Sequence, residues 1–333
     1  SGAGGSIGAE ITRQLLASNP QKIILFELSE YNLFNIEQEC LAIKSSKMLD
    51  TDIIPILGDI RDSRNLEHLF QQFTIDHIYH AAAYKHVPLV ENKNNIAKAA
   101  ENNILGTYNL AKAAGKFNVH SFVMISTDKA ERPTNIMGAT KRFAEIIIQS
   151  INAEASQTKF SMVRFGNVIN SSGSVIPLFV DQIARGGPVT VTHKDVKRYF
   201  MTIPEASNLV LQAGEMSEGG EVFILDMGEQ VRIYDLAQKL IHLSGKNHSI
   251  SDGDKGIEII EIGLRPGEKM YEELLISGSE IKTDNPKINK ATESFVDFKE
   301  LKPLLLDLTE SINNYDNQKI LNLLSLHVEG FDR

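Results

Sequence analysis

The chain predicts an α/β fold: a doubly wound parallel sheet with a smaller α/β domain interleaved into it. Short apolar runs of strand length alternate with stretches of helical spacing through the first half of the chain, the pattern of repeated β-α-β units. A glycine-rich stretch, Ser1-Gly-Ala-Gly-Gly-Ser-Ile-Gly8, stands directly before the first helical segment. The apolar run Ser121-Phe-Val-Met-Ile125 is followed by Ser126-Thr-Asp-Lys-Ala130 and then by another helical pattern. An acid, an amine and a hydroxyl therefore meet where a strand ends, and the carboxyl ends of strands are where open parallel sheets bind ligands.

With 333 residues the chain can form one large α/β domain or two smaller ones. A net charge of -9, a pI near 5.5 and the lack of a basic run exclude nucleic acid as an expected partner. No apolar run is long enough to cross a bilayer and no signal peptide is visible, so a cytoplasmic location with no membrane contact from this segment itself is expected. The single cysteine, Cys40, excludes an internal disulfide and agrees with a reducing compartment. No His/Cys/Asp cluster has metal-ligand spacing, so no metal is expected. Residue 1 already lies within the glycine loop, without the strand that should feed it. The expectation is a piece of a longer chain, in which an upstream anchor or domain would be invisible.

Gly2, Gly5 and Gly8 have a G-x-x-G-x-x-G spacing, and Ser6 and Ile7 open the helix that runs over 9–17. Glycine lets the backbone approach a pyrophosphate, and the helix N-terminus offers it free N–H groups. The next strand ends at Glu27, where an acid can accept from adenosine ribose hydroxyls and favours NAD over its phosphorylated form. Strand 53–57 leads to Asp59 and Ile60, which either bracket an adenine or form a simple turn. Strand 77–80 leads to Ala81 and Ala82, small enough for close approach of a cofactor, and then to Lys85 and His86. Helices are expected over 92–116, with Asn103 inside, and over 137–154, with Lys141 one turn after Met137 on the same face.

The pattern changes after Arg164-Phe-Gly-Asn167. An apolar helix begins near Pro177, and a turn at 186–188 leads to a short strand that includes Val189 and Thr190. Arg198 follows, then a helix over 204–216, strands at 222–226 and 231–233, a helix over 234–244, a polar surface loop at 245–255, a strand at 257–262, and the loop Leu264-Arg-Pro-Gly-Glu-Lys269. We assign 1–166 to a dinucleotide-binding domain and 167–297 mainly to a substrate domain that returns to the sheet near 204–228. Residues 298–333 read as a helical tail.

Five segments in order carry a resemblance over nearly the whole chain: the glycine loop, His80-Ala-Ala-Ala-Tyr-Lys-His-Val-Pro88, Ser126–Ala130 with Pro133-Thr-Asn-Ile-Met-Gly-Ala-Thr-Lys141, Arg164-Phe-Gly-Asn-Val168, and the 264–269 loop. Together they resemble an extended short-chain dehydrogenase/reductase with a Rossmann-type sheet. More narrowly, they resemble the bacterial polysaccharide-biosynthesis 4,6-dehydratases that act on UDP-N-acetylglucosamine. Most of that superfamily carries Tyr four residues before the Lys; this chain has Met137, as does the membrane-anchored branch that retains the configuration at carbon 5.

The resemblance implies NAD as cofactor and a UDP-sugar as substrate. Carbon 4 is oxidised, the carbon 5 proton is removed, water leaves from carbon 6, and the hydride returns there. Asp128 and Lys129 would supply the acid and the base, in either order. Lys129 as base must be neutral, which burial or nearby positive charge would favour. Thr127 would bond the carbon 4 oxygen, and Lys141 would hold the nicotinamide ribose. Asn167, Arg198 and Arg265 would meet the diphosphate, Glu268 the uridine ribose, and the backbone of 189–192 the uracil. Lys85 and His86 would line the sugar pocket, unless His86 is simply structural. A 4-epimerase and an NAD-binding regulatory module are the rival readings. Relatives pair through the helices equivalent to 92–116 and 137–154, which implies a homo-oligomer, at least a dimer, through that face.

Overall fold

The computed structural model describes residues 1–154, 157–249, 256–273 and 280–332. The first half alternates as α1 (Ser6–Ala17), β1 (Lys22–Glu27), α2 (Glu30–Lys47), β2 (Asp52–Leu57), α3 (Ser63–Gln72) and β3 (His77–His80). After the short α4 (Val87–Val90) come α5 (Ile96–Ala100), a π-helical turn (Glu101–Gly106) and α6 (Thr107–Lys116), which form one continuous helical stretch. Then follow β4 (Ser121–Ile125), a 3-10 turn (Asp128–Ala130), α7 (Ile136–Ala153) and β5 (Lys159–Arg164).

The smaller unit and its returns comprise β6 (Asn167–Val168), α8 (Val175–Ala184), β7 (Val189–Val191), β8 (Lys197–Arg198), β9 (Phe200–Met201), α9 (Ile203–Glu215), β10 (Val222–Leu225), β11 (Val231–Arg232), α10 (Ile233–Leu243) and β12 (Ile259–Glu261). The chain finishes with β13 (Glu280–Lys282), β14 (Ile288–Ala291), α11 (Phe298–Asn313) and α12 (Asn317–His327).

Strands β3, β4, β5 and β10 lie side by side in parallel, and antiparallel β14 and β13 extend that sheet beyond β10. β1 and β2 form a second parallel pair. Residues 1 and 2 join the two at their carboxyl ends: the Ser1 amine donates to the Tyr79 carbonyl and the Gly2 N–H to that of Phe26, both at 2.9 Å. Side chains alternate strictly across the central strands. Phe122, Met124, Phe160 and Met162 enter the core beneath α6 and α7, whereas Val123, Val163 and Phe223 face the layer formed by α1 and α9. Both faces are buried, which is why these strands read as unbroken apolar runs.

α7 starts where Asn135 accepts from the Gly138 N–H at 2.8 Å. Residues 136–151 of this helix are buried on every side. Its outer face is covered by the chain's own tail, where Leu301, Leu305, Leu308, Ile312, Ile320 and Leu324 of α11 and α12 join the same core. Each such side chain contributes about 1.5–3 kcal/mol by leaving water. The α7, α5 and π-turn part of the face expected to pair with a second copy is thus packed against the chain's own tail.

Other expectations shift in detail. The helix expected from 92 begins at Ile96 and takes an extra residue in its π turn, which turns Asn102 and Asn103 inward to buried positions. The strand expected over 257–262 is regular only over Ile259–Glu261; Ile257 makes an isolated bridge to His248. Of the 245–255 loop, 250–255 lie outside the described residues. The smaller unit has its own core of Phe179, Ile183, Val189, Val191, Ile233 and Ile241, with β7 parallel to β12 and β8 antiparallel to β11.

Candidate active site

The carboxyl ends of β1, β3, β4 and β5 bring most of the expected residues to one side of the sheet. In the glycine loop, Gly2 has φ +68°, and a Cβ there would lie 2.7 Å from the Ala82 nitrogen. A Cβ on Gly8 would lie 2.0 Å from the Gly2 carbonyl oxygen. The loop is thus packed against the Ala81-Ala82 strand end, and only hydrogen fits at these positions. Gly5 caps α1 without a side chain, so the first-turn N–H groups around Ser6 and Ile7 have no side-chain cap. Glu27 is buried and accepts from the Gly4 and Ser29 N–H groups, each at 3.0 Å. Ile60 packs under Gly106, and Asp59 is held by Arg61 through both carboxylate oxygens.

The strand end after β4 is tightly built. The Asp128 N–H donates to the Phe165 carbonyl (3.1 Å), and Thr127 Oγ1 accepts from the Lys129 N–H (3.3 Å), closing the 3-10 turn. A Cβ on Gly138 would fall 2.1 Å from the Lys129 carbonyl oxygen, so glycine there lets α7 touch the turn. Asp128 Oδ1 accepts from Thr127 Oγ1 at 2.9 Å and from Lys129 Nζ at 3.1 Å, while its Oδ2 is buried without a donor. Burial raises the Asp128 carboxyl; Lys129 opposes and the neighbouring Glu272 reinforces, leaving it at about 7.

Lys129 departs from expectation. Burial alone would lower its pKa, but Asp128 and Glu272, the latter 2.7 Å from Nζ, outweigh burial and push it above the ordinary lysine value. Its two nearest charged neighbours are carboxylates, and they favour the ammonium form of the amine. Lys141 behaves as the reading anticipated for Lys129. It is buried, donates to the Ile125 carbonyl at 2.8 Å, and is lowered to about 8 by burial, with Glu145 opposing. Met137 lies buried one turn before it.

At the start of the smaller unit, Asn167 Nδ2 donates to the Tyr199 carbonyl and to Glu272 Oε2, both at 3.2 Å. Arg198 is engaged at Nε by Glu272 Oε1 (3.2 Å) and at one terminal nitrogen by Glu268 Oε1 (3.0 Å). Glu268 also accepts from Thr192 Oγ1 (2.8 Å) and the Arg265 N–H (3.1 Å). Arg265 is exposed at the mouth. The N–H groups of Val189 and Thr190 bond to the Glu258 carbonyl and to Gln182 Oε1, so they are not free donors for a base. The His86 ring packs where a Cβ on Gly173 would stand; burial lowers its pKa, and Lys85 adds to that. Burial also lowers Lys85.

Two residues gain importance only in three dimensions. Asn103, in the π turn, donates to the Tyr84 carbonyl and to Thr140 Oγ1, both at 3.0 Å, and accepts from the Tyr84 N–H, thereby tying the 81–86 segment to α7. Glu272 was not anticipated. It follows the 264–269 loop, but its side-chain partners Lys129, Asn167 and Arg198 all lie far earlier in the chain, and no local pattern marks it. Among the described residues no cluster of His, Cys, Asp or Glu could hold a metal.

Residues 1–293 match the polysaccharide biosynthesis protein family model. The chain belongs to that family. It is 49% identical to the capsular polysaccharide biosynthesis protein CapD of Staphylococcus aureus over 329 residues, which is 97% of this chain and 52% of that protein. The chain thus spans about half of CapD's own length. It is also 33% identical over 280 residues to the inverting UDP-N-acetylglucosamine 4,6-dehydratase of Campylobacter jejuni, covering 83% of this chain and 76% of that one. Among solved structures, Pen from Bacillus thuringiensis superposes with a TM-score of 0.76 at 34% identity, covering 92% of this chain and 96% of that one. Within the family the architecture is an extended short-chain dehydrogenase/reductase: a parallel Rossmann-like sheet with a smaller α/β unit. No helix among the described residues is long and apolar enough to cross a membrane.

Proposed function

We propose that this chain catalyses the NAD-dependent 4,6-dehydration of UDP-N-acetylglucosamine to the UDP-4-keto-6-deoxy-hexosamine, with retention at carbon 5, for cell-surface polysaccharide synthesis. The observation that carries the reading is the pair formed by buried Asp128 and partly exposed Lys129 at the β4 strand end, with the Asp128 carboxyl poised at about 7 and Met137 where a phenol would otherwise serve. A dehydration needs an acid and a base side by side, and a carboxyl that changes protonation near neutrality suits the acid.

The cofactor fits the residues present. Gly2, Gly4 and Gly8 of the loop admit no Cβ, the first turn of α1 has no side-chain cap, and Glu27 lies beside the loop; these groups and Lys141 would hold NAD. When bound, NAD would accept the hydride from carbon 4 and supply it to carbon 6 once water has left. Asp128 takes the proton of the carbon 4 hydroxyl and thereby becomes the carboxylic acid. Thr127 holds the same oxygen. Oxidation at carbon 4 acidifies the carbon 5 proton, which Lys129 removes once its amine is neutral. Asp128 then gives its proton to the departing carbon 6 hydroxyl. Lys129 returns its proton to carbon 5 from the same face, which accounts for retention. Arg198, Arg265 and Asn167 anchor the diphosphate through charge-assisted bonds.

The test is incubation with UDP-N-acetylglucosamine and NAD in heavy water, followed by mass spectrometry and NMR of the product. Loss of one water with deuterium at carbon 5 in the original configuration is expected. An isomer of unchanged mass would instead mean an epimerase, and absence of conversion at saturating substrate would overturn the enzyme reading.

A further inference from the structure

The segment that follows the 264–269 loop reaches across the cleft to the β4 strand end. Thr134 Oγ1 donates to the Gly267 carbonyl at 3.0 Å, and Lys269 Nζ donates to the Glu131 carbonyl at 3.2 Å. Glu272, at the centre of this contact, is 5% exposed. One of its carboxylate oxygens is shared by two cations with different tasks: Lys129 Nζ at 2.7 Å and Arg198 Nε at 3.2 Å. The other accepts from Asn167. The other Arg198 nitrogens are also engaged, by Glu268, by the Lys197 carbonyl at 2.8 Å and by the Met270 carbonyl at 3.3 Å. An incoming diphosphate that pairs with the guanidinium therefore competes with these protein acceptors for Arg198.

We propose that Glu272 is a positioning residue that couples nucleotide binding to base activation: a diphosphate that draws Arg198 off the shared oxygen leaves the Glu272 carboxylate as the proton acceptor for Lys129. This rests on the dehydratase reading of the site. The step balances internally. One proton passes from the Lys129 ammonium to Glu272, the amine becomes neutral, the carboxylate becomes a carboxylic acid, and no co-reactant is needed. The amine takes the carbon 5 proton and later gives carbon 5 one of its ammonium protons, which exchange with solvent, and Glu272 hands its own proton back when the nucleotide leaves and Arg198 closes again. In the nucleotide-free state the arrangement keeps a reactive amine silent as an ammonium, which agrees with the upward shift of Lys129 and with Glu272 being held at about 2 against burial by Lys129, Asp128 and Arg198.

The coupling predicts opposite signs for two quantities in Glu272→Gln. Arg198 loses a competing anion, so UDP binding measured by calorimetry should tighten about three- to tenfold, a modest loss of charge competition at a partly screened site. Lys129 loses its proton acceptor, so kcat should fall by about a hundredfold or more, the scale of a lost acid–base function. A residue that merely braces the fold would weaken both. Weaker or unchanged UDP binding, or kcat within about threefold of the native value, overturns the proposal, since acid–base contributions start well above that. Glu272→Asp keeps the charge on a shorter arm and serves if the amide variant does not fold. It should recover part of kcat where the amide variant is available, and by itself it should bind UDP more tightly because it reaches Arg198 less well. Native affinity together with native turnover in Glu272→Asp overturns the proposal. The dehydratase reading fails separately, when the unaltered protein binds UDP but yields no dehydrated sugar; the UDP-binding arm then still decides whether Glu272 competes for Arg198. If the unaltered protein binds no UDP at millimolar concentration, both fall.

Discussion

Two clusters of buried charge lie only a few residues apart and do opposite work. In one, Arg164 is fully buried and its guanidinium meets Glu145 at 2.9 and 2.6 Å, Glu131 at 2.6 Å and Glu293 at 2.6 Å. Arg142 bonds Glu145 and Glu293, and Ser126 Oγ donates to Glu145 at 2.5 Å. Arg164 reaches every carboxylate of this cluster. In the other, Asp128 keeps a buried oxygen without a donor and Lys129 remains partly open to the cleft. Saturated charge is rigid and holds the turn from below, because removing any member strands another in a medium that solvates it poorly. The unsaturated cluster has protons to exchange and room for a ligand. The Asp128 turn can stay poised because Glu131, three residues on, is anchored in the saturated cluster.

The sharpest way to break this comparison is Arg164→Met. The buried carboxylates of Glu131 and Glu145 and the partly buried one of Glu293 would lose their shared cation, and the expected loss of stability is about 3–5 kcal/mol, the scale for stranding buried charges; urea unfolding checks it. If Arg164→Met is as stable as the native protein, the structural reading of that cluster is wrong. Lys129→Ala should shift the balance the other way: turnover falls by about 10²–10⁴-fold, as for a lost acid–base group, while the urea midpoint falls by less than in Arg164→Met, because Asp128 can take a proton and Glu272 keeps Arg198. Product formation followed by mass spectrometry, on the same preparation used for unfolding, separates the two effects.

Asp128 sharpens the comparison through pH. Its carboxyl stands at about 7 in the folded protein against an ordinary value of 3.8, so the folded state keeps a proton that the unfolded state sheds. The associated stability is fully present below about pH 4 and is lost as pH rises towards 7. Asp128→Asn removes this dependence. The variant should gain on the native protein in thermal melts as the pH is raised through that window, and lose turnover throughout. A constant difference in melting temperature across the window would show that Asp128 is not protonated in the fold. The smallest effect is expected for an exposed pair of the same chemistry. Arg13 lies 2.9 Å from Glu39 on the surface of α1 and α2, and Glu39→Gln should cost at most about 1 kcal/mol by the same urea measurement.

The sequence by itself determined the layered α/β architecture, the glycine loop and the placing of Thr127, Asp128, Lys129 and Lys141 around one strand end. Each of these is local: strand-length apolar runs, a glycine spacing before a helix, and polar residues directly after a strand follow from backbone geometry over a few residues. What tertiary structure alone decided is long-range. Glu272 meets Lys129 only because the substrate-side segment crosses the cleft, and that contact reverses the protonation expected for the amine. The tail helices α11 and α12 read as helical from their leucines, yet nothing local said that they would cover α7. The charge state of a buried group depends on which charges surround it in space, and the use of an apolar face depends on which element reaches it. Neither neighbour is written beside it in the chain.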